Sequence, residues 1–139
     1  MPRIISVLIL EMSLAICGMA FGYDSGSQAG AVQTIKVSAK KYEFTPSEIR
    51  VPKGAKVKLI VHSEDETHGI KLLVYPEGAK PKGTPGLLLD KPEDNGKVTK
   101  DVEQVIDFVA QEPGTYDFKC AKVCGMGHGR MKGKLIVEP

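Results

Sequence analysis

Two cysteines, a histidine and a methionine fall within one short stretch near the C-terminus: Cys120-Ala121-Lys122-Val123-Cys124-Gly125-Met126-Gly127-His128-Gly129-Arg130-Met131. Two thiolates, an imidazole and a thioether make a soft donor set, which suits copper better than magnesium or calcium. A free cysteine is otherwise a small hydrophobe with a weak donor, so two in one glycine-rich loop point to chemistry more than to packing. Gly125, Gly127 and Gly129 alternate through the loop, and glycine lets a backbone turn sharply and come close to a ligand. A plain surface loop would not need liganding residues between its glycines.

A copper site commonly takes a further imidazole. The chain has three histidines, His62, His68 and His128. His68 follows an acidic stretch and opens a strand, where a side chain can point out of the end of a sheet. His62 sits inside a strand pattern, out of phase with its apolar face, and is expected to face solvent. His68 is therefore the preferred partner. Met131 is the preferred thioether, and Met126 reads as a loop residue near the site. Simpler chemistries stay open at this level. Cys124, His128, Met131 and His68 alone would satisfy a mononuclear blue-copper site, leaving Cys120 over. Two cysteines and two histidines could hold zinc tetrahedrally, leaving Met131 unexplained. A Cys120–Cys124 disulfide would close a very short loop, restrict the unfolded chain little, and leave His128 and Met131 without a role.

The elements around this loop read as strands. Residues 34–38 alternate polar and apolar, a half-buried strand. Residues 44–51 are extended, with Pro46 marking an edge or bulge. Pro52-Lys53-Gly54 is a turn. Residues 56–62 form a strand with Val57, Leu59 and Val61 on one face. Residues 63–67 are an acidic loop, and 69–74 another strand. Residues 76–96 contain four prolines and four glycines. That is a long loop for a small domain, expected to be mobile or functional. Leu87, Leu88 and Leu89 within it pin it by local packing, or else mark a contact. Residues 102–109 alternate, Glu112-Pro113-Gly114 is a turn, 115–120 is a strand that delivers Cys120 at its end, and 132–137 is the last strand. Short strands, frequent turn signals and no helical periodicity predict an all-β, antiparallel sandwich with a site in the loops at one end.

With 139 residues the chain is bounded to one domain. A net charge of +2 gives no argument for nucleic acid. No like-charge run is long enough for a polybasic membrane segment. Arg3 precedes an apolar stretch over 4–21, interrupted by Glu11, with small residues at its end, Gly18, Ala20 and Gly22. This fits a secretory signal peptide over 1–22. An uncleaved membrane anchor is the alternative, with Glu11 costly near mid-bilayer. A lipoprotein signal ending at Cys17 is a third, with Ile16 large for the position before the cysteine. Residues 23–33 read as a flexible linker and 34–139 as the domain. Export places the protein in the periplasm or another extracytoplasmic space, where a disulfide would be stable. No nucleophile–base pair or catalytic carboxylate pair stands out, so the chain is expected to catalyse nothing alone.

The pattern C-x3-C-x3-H-x2-M, with Asp65-Glu66-Thr67-His68-Gly69 upstream, resembles the CuA domain of cytochrome c oxidase subunit II and the similar domain of nitrous-oxide reductase. Tyr42-Glu43-Phe44-Thr45-Pro46-Ser47, Val51-Pro52-Lys53-Gly54-Ala55-Lys56-Val57 and Pro113-Gly114-Thr115-Tyr116 resemble cupredoxins generally. The resemblance implies a Greek-key cupredoxin sandwich holding two coppers bridged by Cys120 and Cys124. It implies His68 and His128 as caps, Met131 as a weak ligand to one copper, and the backbone carbonyl of Lys122 as a weak ligand to the other. It implies single-electron transfer to or from a redox partner protein, a cytochrome or an oxidase-like core.

Three departures bear on that implication. Lys122 stands where oxidase members carry Glu, tryptophan is absent, and no transmembrane hairpin is present. Together they point to a stand-alone relative rather than a conventional oxidase subunit. Lys119, Lys122, Arg130 and Lys132 make the loop's flanks basic, while Glu64, Asp65 and Glu66 sit beside His68. A basic cytochrome is therefore not an obvious partner. The plainer reading of these charges is a solvated mixed surface. A function of a different class also fits an exported Cys and Met site, namely a copper carrier that delivers metal and moves no electrons.

Overall fold

The computed structural model describes residues 30–139. The leader and most of the linker expected over 1–33 lie outside the described residues. Ten strands form two packed sheets. They are β1 (Val32–Lys40), β2 (Glu43–Thr45), β3 (Glu48–Pro52), β4 (Lys56–Ser63), β5 (His68–Leu72), β6 (Leu87–Leu89), β7 (Val98–Thr99), β8 (Gln104–Ala110), β9 (Gly114–Cys120) and β10 (Lys132–Glu138). One sheet runs β2-β1-β4-β8-β6 and the other β3-β10-β9-β5-β7. Two short 3-10 turns, Pro92–Asp94 and His128–Arg130, complete the described secondary structure.

The all-β sandwich forms as expected, but its pairing is mixed rather than purely antiparallel. β1 runs parallel to β4 and β3 runs parallel to β10. In both cases the strands come from different parts of the chain, so local alternation carries no sign of their relative direction. β1 starts at Val32, so residues assigned to the linker already pair, Val32 with Lys56 and Gln33 with Val57. The extended run over 44–51 divides at Pro46 and Ser47, where the chain passes from one sheet to the other. Proline has no N–H to give a ladder, so the break falls there.

The core follows from period-two alternation. Val57, Leu59 and Val61 point inward from β4, with Val37, Ile106, Phe108, Tyr116, Phe118, Leu135 and Val137 from the neighbouring strands. Phe44 and Phe118 meet edge to face, with centroids 5.3 Å apart. Such a pair adds about 1 kcal/mol beyond its burial.

The 76–96 segment is tied down at two places, and a β8 side chain reinforces the second. Leu87–Leu89 adds a strand to the edge of the first sheet, with Leu87 buried. Asn95 bonds both backbone groups of Leu72, its Oδ1 accepting and its Nδ2 donating, each at 2.8 Å. The Gln104 side chain does the same for Ile70, at 2.9 and 3.0 Å. β7 covers only the start of β5. The two amides therefore replace a missing strand along the rest of that edge, whose unpaired groups would otherwise be costly. β5 carries His68, so this bracing fixes the site.

Candidate metal centre

The expected site residues come from two rigid strand ends and one loop. β9 ends in Cys120 and β5 begins with His68, and the strands pair side by side through Ile70 and Cys120. The loop over 121–131 then brings back Cys124, His128 and Met131 before β10 starts. Cys120 N donates to Met131 O at 3.0 Å, which closes the loop's neck.

The donor atoms of His68, Cys120 and Cys124 all lie within 4.8 Å of one another, and all three residues are buried. Cys120 Sγ is 3.8 Å from His68 Nδ1 and 4.0 Å from Cys124 Sγ. The Lys122 carbonyl oxygen accepts from Cys120 Sγ at 3.0 Å. Cys124 Sγ lies 3.8 Å from Met131 Sδ. Met131 is 1% exposed. His128 stands outside the tight cluster and is half-buried, and its Nδ1 is buried without a hydrogen-bond partner among the described residues. His62 is exposed in β4 and Met126 is fully exposed, as their sequence positions imply.

Both cysteines are free thiols. Their sulfurs, 4.0 Å apart, are at about twice the disulfide bond length of ~2.05 Å. A first-row ion with metal–thiolate bonds of about 2.3 Å can bridge that gap. Burial, and then the neighbouring Cys120, push the Cys124 thiol up. A bound metal would supply the positive charge that favours the thiolate form there. The donor set, the sulfur separation and the orphaned His128 nitrogen thus all fit a soft metal.

Asp65 and Tyr42 have roles that the sequence did not reveal. His68 Nε2 is 2.7 Å from Asp65 Oδ1. An ionised carboxylate only accepts, so Nε2 carries a proton, and Nδ1 is the nitrogen turned toward Cys120. Burial alone would raise the Asp65 carboxyl. The Lys41 and Glu66 backbone N–H groups and His68 overcome this and hold it at about 2. The three-residue step from Asp65 to His68 is the one sequence signal for this contact. Tyr42 lies under the ligand loop. A Cβ on Gly127 would fall 2.2 Å from its ring, and one on Gly125 2.6 Å from its hydroxyl. Gly125 and Gly127 are thus explained by close approach to an aromatic ring, whereas Gly129 faces open space; nothing near Tyr42 in the sequence foretells the contact.

Residues 13–137 match the cupredoxin-like domain family. The chain is 27% identical over 105 residues to cytochrome c oxidase subunit 2 of Thermus thermophilus, covering 76% of this chain and 65% of that subunit. It is 28% identical over 113 residues to nitrous-oxide reductase of Cupriavidus necator, covering 78% of this chain and 15% of that enzyme. Among solved structures, auracyanin A, a blue copper protein of Chloroflexus aurantiacus, shares the fold with a TM-score of 0.58 at 18% identity, covering 78% of this chain and all of that one. The chain thus spans less than two thirds of the curated relatives named here. No helix among the described residues is long and apolar enough to cross a membrane. The chain belongs to the cupredoxin-like family.

Proposed function

We propose that this domain is an exported single-electron carrier with a dinuclear, CuA-type copper centre. Cys120 and Cys124 would hold the coppers through their thiolates, His68 and His128 through their imidazoles, and Met131 and the Lys122 carbonyl would be weaker ligands. One observation carries the reading. Both thiols belong to a single buried cluster, and each has its own companions: His68 and the Lys122 carbonyl at Cys120, Met131 at Cys124. A one-copper blue site needs a single thiolate, yet the sulfur it would leave over is the one facing His68.

Two coppers sharing two thiolates would spread a one-electron change over four heavy atoms, from a core charge of +1 to zero, with little rearrangement. The chain's own part is to hold the donors and keep water out. β5 and β9 fix His68 and Cys120, Asp65 fixes the imidazole tautomer, and Tyr42 supports the loop. The apolar leader over 1–22 supports an extracytoplasmic location. Similarity to oxidase subunit 2 supports a redox protein as partner. Lys122 and the missing tryptophan favour a stand-alone carrier over an oxidase subunit.

Replacement of Cys120 by Ser tests the site. The expected result is loss of the wild-type visible spectrum together with a fall in bound copper. An unaltered spectrum would assign the site to a mononuclear centre at Cys124. A variant and parent that both pass Cu(I) to an apo-acceptor, and form no stable coloured oxidised state, would assign the protein as a copper carrier.

A further inference from the structure

Lys132, Lys119 and Lys71 stand side by side on three adjacent strands. Lys132 is registered with Lys119 across β10 and β9, and Lys119 with Lys71 across β9 and β5. Registered residues point to the same face, with Cβ atoms about 5 Å apart. All three side chains are exposed, and none has an ion-pair partner among the described residues. The next row of the same sheet differs. There Lys134 is registered with Asp117 and pairs with Glu77 at 2.9 Å. Like charges directly opposite one another lower stability. Packing therefore offers no reason for the unpaired row, and an anionic partner does.

The row borders the metal centre. Lys119 precedes Cys120 and Lys132 follows Met131. Exposed Lys122 and Arg130 extend the basic border around the ligand loop. At its crown Val123 is 74% exposed and Met126 fully exposed. The acidic residues on the His68 side each have a hydrogen-bonding or ion-pairing neighbour, and Glu66 is matched by a lysine. Glu64 accepts from Ser38, Asp65 from His68 and the Lys41 N–H, and Glu66 pairs with Lys41. The sequence shows a balanced surface of acids and bases, whereas the structure leaves the bases free.

We infer that the electron partner is an acidic protein that docks on the Lys71–Lys119–Lys132 row with Val123 and Met126 at the centre of contact. This rests on the electron-transfer reading above. A partner seated there brings its acceptor against the loop that shields the sulfurs. An anionic membrane is the less fitting occupant. The chain enters β1 at Val32, which pairs with Lys56, at the pole opposite the metal end. A tether on the preceding residues would hold the row away from a bilayer.

The test uses the copper-loaded full chain with two c-type cytochromes, one acidic and one basic, and phosphatidylglycerol vesicles. The variant is Lys71→Gln/Lys119→Gln/Lys132→Gln, and the control is Lys53→Gln/Lys56→Gln at the far pole. Electrostatic steering changes association rates by roughly 10 to 1,000-fold. At low ionic strength the variant should therefore react at least about tenfold more slowly with the acidic cytochrome and lose most of its salt dependence. The control should match wild type. NMR titration of the labelled protein with the acidic cytochrome should shift Lys71, Lys119, Lys132, Val123 and Met126. It reads binding whether or not electrons move, so failure of the carrier reading is seen separately as a protein that binds but exchanges no electron. Equal rates for variant and wild type, faster reaction with the basic cytochrome, or row-dependent binding to vesicles with none to the acidic cytochrome would each overturn the inference.

Discussion

His68 and His128 stand in different kinds of structure beside the two cysteines' loop. His68 opens a strand, is 1% exposed, and has its far nitrogen held by Asp65 at 2.7 Å. Its strand is braced along the outer edge by the Gln104 and Asn95 amides. His128 lies in a 3-10 turn, half-buried, between glycines, with a buried nitrogen that no described residue satisfies. One wall of the site is built by the fold before any metal arrives, while the other has a vacant hydrogen-bonding atom that metal chemistry can use. A thiol–imidazole site assembled in this way binds on a fixed strand wall and closes with a loop.

The sharpest way to break the contrast is to remove each imidazole. His68→Gly and His128→Gly should both lose the native visible spectrum. Added free imidazole should restore it in the His128 variant, where the side chain reaches the surface, and not in the His68 variant, where the hole is enclosed. Restoration in both, or in neither, would show that the two walls are equivalent.

Asp65→Ala comes next. Partners of metal-bound histidines are worth about 10 to 100-fold in metal affinity, and a loss of that size should appear in chelator competition. A variant with wild-type affinity would remove Asp65 from the rigid wall.

Gly127→Ala probes the loop wall. Its methyl would collide with the Tyr42 ring, and overpacking of this kind costs about 1–3 kcal/mol. Chemical denaturation should show that loss, and adding Tyr42→Ala should relieve part of it. Strict additivity of the two changes would contradict the contact. The smallest effect is expected for Glu66→Gln. Lys41 and Glu66 have side chains 42% and 38% exposed, and exposed pairs contribute little. The thermal midpoint should stay at the wild-type value.

The loop was legible as a candidate site because its chemistry is local. Cys120, Cys124, His128 and Met131 lie in one stretch, and metal-donor spacing survives whatever the rest of the chain does. His68 was legible from its place at a strand start after an acidic turn, although it is buried rather than projecting from the sandwich end. Strands with clean alternation, such as residues 56–62, were legible because period two states which side is inward. What sequence did not convey depends on contacts between distant segments. The parallel pairing of β1 with β4, Tyr42 beneath Gly125 and Gly127, the amide bracing of β5, and the lysine row all arise from strand order. Leu87, Leu88 and Leu89 are an intermediate case. Their packing role was visible, but not that they would form an edge strand on β8.

The central claim is that both buried thiols serve one two-metal centre. Copper content per folded chain, measured together with the electron paramagnetic resonance spectrum of the same sample, tests it most directly. The account expects two coppers per chain, with the unpaired electron shared between both nuclei. One copper per chain, with hyperfine splitting from a single nucleus, would contradict it.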